Sequence, residues 1–177
     1  MSFTRRVALL VAVITVAACA RNPRGGPSRS TSASATLRDV SGATVGTASF
    51  TETSGGVLVS GSLTGIGSGT HGIHVHETGR CDSTFTSAGG HFNPDAKQHG
   101  FRNPKGPHAG DIPNLSVPAT GSVRFDLVLP LVTLSGQRAL LDADGAAIVV
   151  HASADDLKTD PSGNSGARIA CGVFGAA

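Results

Sequence analysis

Short segments in which apolar and polar residues alternate follow one another along the chain, separated by turns rich in glycine and serine. The segments that we predict as strands are 35–40, 44–51, 57–63, 71–77, 122–129, 146–152 and 168–174. A period of two is typical of strands with one buried face, and no segment has the capped, 3.6-residue periodicity of an amphipathic helix. Seven or eight such strands predict an antiparallel sandwich or barrel, with 78–114 and 153–167 left as two long loops.

The first 18 residues are typical of an export leader. Arg5 and Arg6 precede an apolar run, 7–18, that is shorter than the ~20 residues of a membrane-spanning helix. The run ends in the residues VAAC (16–19), which resemble the bacterial lipobox, whose cysteine becomes lipid-modified after cleavage. We therefore expect a lipid anchor on Cys19 and a place at the periplasmic face of the cell envelope. Ordinary cleavage nearby, leaving Cys19 unmodified, is the alternative.

Residues 19–35 are rich in Arg, Pro, Gly and Ser and have no apolar periodicity. Such a segment buries too little surface to fold, so we expect a flexible tether that leads into one domain over 36–177. The whole chain carries +2, but five arginines precede residue 30, and the remaining 9 basic and 12 acidic residues give the domain −3. A mildly acidic domain without a basic stripe argues against nucleic acid as a partner.

Two cysteines, Cys81 and Cys171, remain once Cys19 is assigned to the anchor. In an exported domain a pair of cysteines favours one disulfide, which would tie the first long loop to the last strand. In the chain-entropy model, closing a loop this long stabilises the fold by about 4–5 kcal/mol. A thiol ligand to copper is the alternative.

All seven histidines lie between His71 and His151. His74 and His76 are two residues apart on a predicted strand, so both imidazoles point to the same face and can reach one ion. Imidazole suits copper and zinc, and carboxylate oxygen also serves zinc. The further candidate ligands are His91, His99, His108, Asp111 and His151. This order predicts two metal sites that share one ligand.

Five separated motifs resemble those of copper,zinc superoxide dismutase. They are HGIHVHE (71–77), SAGGHFNP (87–94), GPHAGD (106–111), IVVHA (148–152) and GNSGARIACG (163–172). The resemblance spans nearly all of residues 35–175. It implies an all-β, eight-stranded antiparallel Greek-key β-barrel or sandwich, with the metals held outside the barrel wall by the two long loops. It also implies one copper and one zinc ion per chain.

The resemblance assigns a role to each candidate residue. Copper is expected on His74, His76, His91 and His151, and zinc on His91, His99, His108 and Asp111, with His91 as the bridging imidazole. His71 is expected to bond backbone and hold a loop. Asp155 is expected to link a copper histidine, His74, to a zinc histidine, His99. Arg168 is expected to attract and orient a small anion, and Ser162 to narrow its channel.

The function implied is dismutation of superoxide to dioxygen and hydrogen peroxide by one-electron cycling of copper, in a monomer or a homodimer. Two alternatives belong to other functional classes. An envelope copper or zinc buffer or carrier would bind metal without turnover, but it needs neither Arg168 nor Ser162 beside the metal. A copper-only dismutase would have lost the zinc ligands, whereas His99, His108 and Asp111 are all present.

Overall fold

The computed structural model describes residues 31–176; the predicted leader, Cys19 and the predicted tether as far as residue 30 lie outside these residues. The described chain is almost entirely β-structure, with one 3₁₀ turn at Thr86–Ala88. Its strands are β1 Ser32–Asp39, β2 Thr44–Thr53, β3 Gly56–Thr64, β4 Gly69–His71, β5 Ile73–His76, β6 Leu115–Val117, β7 Ser122–Leu129, β8 Ala147–His151, β9 Arg168–Val173 and β10 Gly175–Ala176. Between residues 31 and 176 no helix has the length and apolar character that a membrane crossing requires.

Eight strands form one antiparallel sheet in the order β5-β8-β9-β1-β2-β3-β7, with β10 paired to β1. The sheet curls into a half-barrel, with β5 and β7 at its two ends, and its last long strand, β9, returns to lie beside the first, as in Greek-key folds. Strands β4 and β6 pair separately at the side. The predicted antiparallel β-barrel is therefore confirmed, with two short strands that alternation does not reveal.

The tether predicted over 19–35 is wrong at its end, because β1 already begins at Ser32. Ala33, Ala35 and Leu37 alternate toward the inside and join the core formed by Phe50 of β2 and Val59 of β3. Alanine and serine have little strand preference, so the first half of β1 resembles a linker in sequence. Its strand state comes from pairing with β2 along its whole length.

Strand β8 is buried on both faces, which makes it a rigid support. Ile148 and Val150 face the barrel core, whereas Val149 packs on the opposite side in a small cluster with Phe85 and the cysteines. Cys81 and Cys171 form a disulfide across 90 positions, so the predicted bridge between the first long loop and the last long strand is confirmed. The alternative of a thiol ligand to copper is wrong.

The strand predicted over 71–77 is interrupted at Gly72. Before it, β4 pairs with β6; after it, β5 pairs with β8. The Gly72 amide donates to the Ser153 carbonyl at 2.8 Å, and the Gly72 carbonyl accepts from the His151 amide at 2.8 Å. A Cβ at residue 72 would lie 2.9 Å from the Ser165 Cβ, so this close approach requires glycine. The break anchors the second long loop beside β5.

Candidate metal centre

Four histidines form one buried group, which we call the strand cluster: His74 and His76 of β5, His151 at the end of β8, and His91 of the first long loop. Their ligand atoms all lie within 4.8 Å of one another. Strand alternation sends the imidazoles of β5 away from the barrel core, into which Ile73 and Val75 point. His91 joins the group because its backbone forms a bridge with that of His76.

Each histidine of the strand cluster has one ring nitrogen with a hydrogen-bond partner and one without. Nδ1 of His76 donates to the Gly89 carbonyl at 3.0 Å, and Nδ1 of His151 donates to the Gly166 carbonyl at 3.3 Å. Within the strand cluster, the buried ring nitrogens without a partner are Nδ1 of His74 and Nε2 of His76, His91 and His151. Buried polar atoms are normally paired, so four unpartnered nitrogens within 4.8 Å of one another fit a cation.

The electrostatics of the strand cluster favour neutral rings. Burial lowers the pKa of His76 to about 2, that of His151 to about 3 and that of His91 to about 4. These imidazoles are therefore unprotonated at neutral pH, which is the state that a metal ligand requires.

A second buried group, which we call the loop cluster, consists of His91, His99, His108 and Asp111. Oδ1 of Asp111 lies 2.9 Å from Nδ1 of His91, 3.0 Å from Nδ1 of His99 and 3.4 Å from Nδ1 of His108. Ligands of a tetrahedral zinc ion with ~2.0 Å bonds lie about 3.3 Å apart. Three nitrogens and one oxygen at this spacing fit such an ion, and His91 contributes to both clusters.

The loop cluster is charged where the strand cluster is neutral. Burial acts to raise the pKa of Asp111, but hydrogen bonds from His108, His91 and His99 and from the Gly100 amide outweigh it and hold that pKa well below its usual range. Burial acts to lower the pKa of His99, but hydrogen bonds to Asp111 and Asp155 outweigh it and raise that pKa to about 9. Without metal, a protonated His99 therefore lies between two carboxylates.

Asp155 connects the two clusters. Its Oδ2 accepts a hydrogen bond from Nε2 of His74, and its Oδ1 accepts one from Nε2 of His99, both at 2.9 Å. Asn114 holds the Asp155 backbone from both sides, donating to its carbonyl and accepting from its amide at 2.8 Å. His74, His99 and Asp155 also have the composition of a metal site. Because the two Nε2 atoms already donate to the carboxylate, this group links the clusters and is not a third site.

His71 lies outside both clusters, at the end of β4. Its Nδ1 is 2.8 Å from the carbonyl of His151 and its Nε2 is 2.9 Å from the carbonyl of Gly67. The ring thus ties the loop before β4 to the strand end that carries a cluster histidine. The structure places it where the predicted loop-holding role requires.

A cavity of about 550 Å³ opens onto the strand cluster and is lined by His76, His91, His151, Ser162 and Arg168 among others. The Arg168 guanidinium is fixed by two backbone carbonyls: Nη1 donates to Phe85 at 2.5 Å and Nη2 donates to Gly89 at 2.6 Å. A fixed cation beside the four lone pairs can hold a small anion there. Arg168 and Ser162 therefore lie together where an anion would enter.

Three charged residues of the cavity wall are absent from the sequence-based prediction: Glu77, Lys97 and Asp160. Asp160 accepts a hydrogen bond from the His99 amide at 2.7 Å and so joins the second long loop to the loop cluster. Glu77 directly follows His76, and this adjacency was the available signal. Asp156 accepts hydrogen bonds from the amides of Lys158 and Thr159, so its side chain stabilises the local turn.

Comparisons with known proteins agree with this geometry. The family model described as copper/zinc superoxide dismutase matches residues 44–174. "Superoxide dismutase [Cu-Zn] 2" of Aquifex aeolicus is 45% identical over 146 residues, which cover 80% of this chain and 85% of that protein. Among solved structures, a SOD-like protein from Bacillus subtilis has a TM-score of 0.77 and 42% identity, covering 79% of this chain and 96% of that one. The Cu/Zn superoxide dismutase from Brucella abortus has a TM-score of 0.66 and 30% identity, covering 80% and 98%.

Proposed function

The chain belongs to the copper/zinc superoxide dismutase family, and on this premise we propose which of its residues carry out the reaction. It is an enzyme that converts two superoxide anions and two protons to dioxygen and hydrogen peroxide. We propose that the strand cluster holds one copper ion and the loop cluster one zinc ion. The four unpartnered nitrogens of the strand cluster are the single observation that carries this assignment.

The two donor sets support different metals. Four imidazole nitrogens suit copper, and the strand cluster borders the cavity through His76, His91 and His151. Three nitrogens and one carboxylate oxygen suit a zinc site. Of its donors His91 and His108 line the cavity, whereas His99 and Asp111 do not. The strand cluster, which presents three of its four histidines and lies with Arg168 on the cavity wall, would therefore hold the redox ion where substrate arrives.

Copper held by the strand cluster would supply one-electron redox chemistry for the two superoxide anions. Arg168 attracts each anion and orients it, because its guanidinium is held by the carbonyls of Phe85 and Gly89. His91 takes up a proton at Nε2 in the first half-reaction and gives it to the second superoxide. The other proton of hydrogen peroxide comes from water. Asp111 and the loop cluster keep the His91 ring in place on its Nδ1 side.

The same residues argue against a metal buffer or carrier. A buffer has no use for an arginine whose two nitrogens are committed to backbone carbonyls at the wall of an open cavity. A copper-only variant is also disfavoured, since the loop cluster retains all four donors at zinc spacing.

Metal analysis combined with a dismutase assay tests the proposal. We expect one copper and one zinc per chain in the purified protein, and loss of at least about 100-fold in activity in His91→Ala, because the variant loses both the shared ligand and the proton carrier. Asp95→Ala, an exposed change in the same loop, is the matched control and is expected to retain activity. A fully metallated protein that consumes superoxide no faster than free solution would contradict the proposal.

We further propose that the enzyme works at the periplasmic face of the cell envelope, attached through a lipid on Cys19. The support is the leader and the lipobox-like residues 16–19 of the sequence. Fractionation of cells that express the full chain tests this proposal. The protein is expected with the membranes, and Cys19→Ser is expected in the soluble periplasmic fraction. An equal distribution of the two proteins would show that Cys19 carries no anchor.

A further inference from the structure

One peptide group, between Gly89 and Gly90, contacts three side chains of the site. Its carbonyl oxygen, on Gly89, accepts from Nδ1 of His76 at 3.0 Å and from Nη2 of Arg168 at 2.6 Å. Its N–H, on Gly90, donates to Oε1 of Glu77 at 2.9 Å. Because a peptide group is planar, whatever fixes the N–H also fixes the direction of the carbonyl.

The two glycines cannot fix this orientation themselves. Gly89 has φ +74, in the left-handed region, and neither residue has a side chain to restrict rotation about the backbone. Glu77 holds the pair twice, since its amide also donates to the Gly90 carbonyl at 3.0 Å. A Cβ on Gly89 would lie 2.8 Å from Oε1 of Glu77, so the carboxylate lies directly against the peptide.

A carboxylate at this place is expected to hinder the binding of an anionic substrate. Glu77 is exposed and lines the cavity through which a superoxide anion reaches Arg168, and a negative charge there repels the substrate. The hydrogen bond from the Glu77 amide would keep the strand geometry with any side chain at this position. The presence of a carboxylate therefore needs a separate explanation. Hydrogen bonds to an ionised acceptor are about twice as strong as neutral ones, and hydrogen bonds in series polarise one another.

We propose that Glu77 is a positioning residue for superoxide dismutation. Its carboxylate fixes the Gly89–Gly90 peptide so that one carbonyl holds both the copper ligand His76 and the anion-binding Arg168. It also polarises that carbonyl through the shared peptide, which strengthens both hydrogen bonds. This inference rests on the proposed function, since it concerns His76 and Arg168 in their proposed roles.

Two substitutions separate contact from charge. Glu77→Gln keeps an acceptor oxygen at the same reach and removes the charge, whereas Glu77→Asp keeps the charge and withdraws the oxygen by one methylene. Asp144→Asn is the matched control, because Asp144 borders the same shallow depression as Glu77 and its side chain does not contact the Gly89–Gly90 peptide. The first measurement is hydrogen exchange of the Gly90 amide in the metal-free protein. The second is the affinity of azide, an anionic probe, for the copper-loaded protein.

We expect at least tenfold faster exchange of the Gly90 amide in Glu77→Asp, and a dissociation constant for azide raised about fivefold, as for one lost hydrogen bond. Glu77→Gln is expected to keep the amide protected, because the contact is retained, and to raise the dissociation constant for azide by about twofold, because only the polarisation by the charge is lost. Equal exchange in Glu77→Asp and Asp144→Asn would overturn the proposal. So would the reverse order, in which Gln behaves as the damaged variant and Asp as the intact one.

The exchange measurement needs no metal, so it remains decisive if the proposed function fails. Loss of dismutase activity in His91→Ala together with unchanged Gly90 exchange in Glu77→Asp would reject this inference and leave the proposed function standing. If Glu77→Asp does not fold, exchange of the Gly90 amide in Glu77→Gln tests the proposal instead. Faster exchange of its Gly90 amide would show that an acceptor at this reach does not hold the peptide, which overturns the proposal.

Discussion

The strand cluster and the loop cluster share His91 but are built by different forces. Three of the four strand-cluster histidines lie on or beside paired strands, and two use a backbone carbonyl to fix the second ring nitrogen. The loop cluster lies in a segment without regular strands, and its members are held by a buried carboxylate. In the strand cluster, strand pairing and backbone carbonyls hold neutral imidazole rings in place. In the loop cluster, the charge of Asp111 holds the histidines in place.

The largest expected effect comes from removing the carboxylate at the centre of the loop cluster. Asp111→Ala leaves the buried, protonated His99 with one partner instead of two, so we expect the metal-free protein to lose about 3–5 kcal/mol of unfolding free energy at pH 7. Zinc binding should be lost while copper still binds the strand cluster. Denaturant unfolding and metal titration measure the two effects, with exposed Asp126→Ala as control. Equal loss of both metals would show that the clusters are not built independently.

Asp155→Asn tests the connection between the two clusters. The amide cannot accept strongly from both His74 and His99, so we expect zinc affinity to fall by about 10–100-fold, with a smaller loss of copper affinity. The larger zinc effect is expected because His99 lies in a loop and depends on Asp155 for the orientation of its ring, whereas His74 is also held by the pairing of β5 with β8. Asp156→Asn, its exposed neighbour, is the control for competition titrations with a chelator. A larger fall in copper affinity than in zinc affinity would contradict the prediction that the loop cluster depends more on Asp155 than the strand cluster does.

The third prediction concerns Arg168 in the cavity, which borders the strand cluster through His76, His91 and His151. Arg168→Lys keeps a positive charge but loses the fork held by Phe85 and Gly89, so kcat/KM should fall about tenfold while the rate still decreases with ionic strength. Arg168→Ala should also flatten the salt dependence. Arg102→Ala, which removes an exposed arginine that does not line the cavity, is expected to change neither. No salt dependence in the unsubstituted enzyme would remove Arg168 from the steering role.

The smallest expected effect is opposite pH dependence of the two clusters in the metal-free protein. The pKa of His99 is raised to about 9, so its contribution to stability is full below about 6.5 and is lost as pH rises through 9. The pKa values of His76 and His151 are lowered to about 2 and 3, so the neutral cluster loses stability as pH falls below about 6.5. Denaturant unfolding of His99→Gln and His76→Gln between pH 5 and 9 should show differences from the unsubstituted protein of opposite slope. If the stability differences of the two variants changed with pH in the same direction, the predicted contrast between a charged loop cluster and a neutral strand cluster would be wrong.

Much of the fold and of the site could be predicted because the signal is local. Strand parity places His74 and His76 on one face, and alternation identifies the long strands. The three-residue strands β4 and β6 are too short to show a period, and the break at Gly72 depends on Ser153 and Ser165 far along the chain.

The contacts that fix ring orientation were harder to predict because many of them are made by backbone atoms. The carbonyls of Gly89 and Gly166 orient His76 and His151. Every residue has a backbone carbonyl, so the sequence does not show which carbonyl will accept a given hydrogen bond. Glu77 was visible as part of a motif, but its partner is the amide of Gly90, 13 positions away. Such roles depend on how the first long loop returns to β5, which only the folded chain reveals.

The register of β1 separates the start of the described chain from the anion-binding cavity. Ala33 pairs with Ala176, whereas Arg38 pairs with Cys171, three positions from Arg168. At about 3.3 Å per residue, the first residues of β1 lie roughly 17 Å farther along the barrel than Arg38. Residue 31, where the described chain begins, therefore lies next to the end of β1 that is remote from Arg168, and the cavity beside Arg168 stays clear of the strand's entry into the fold.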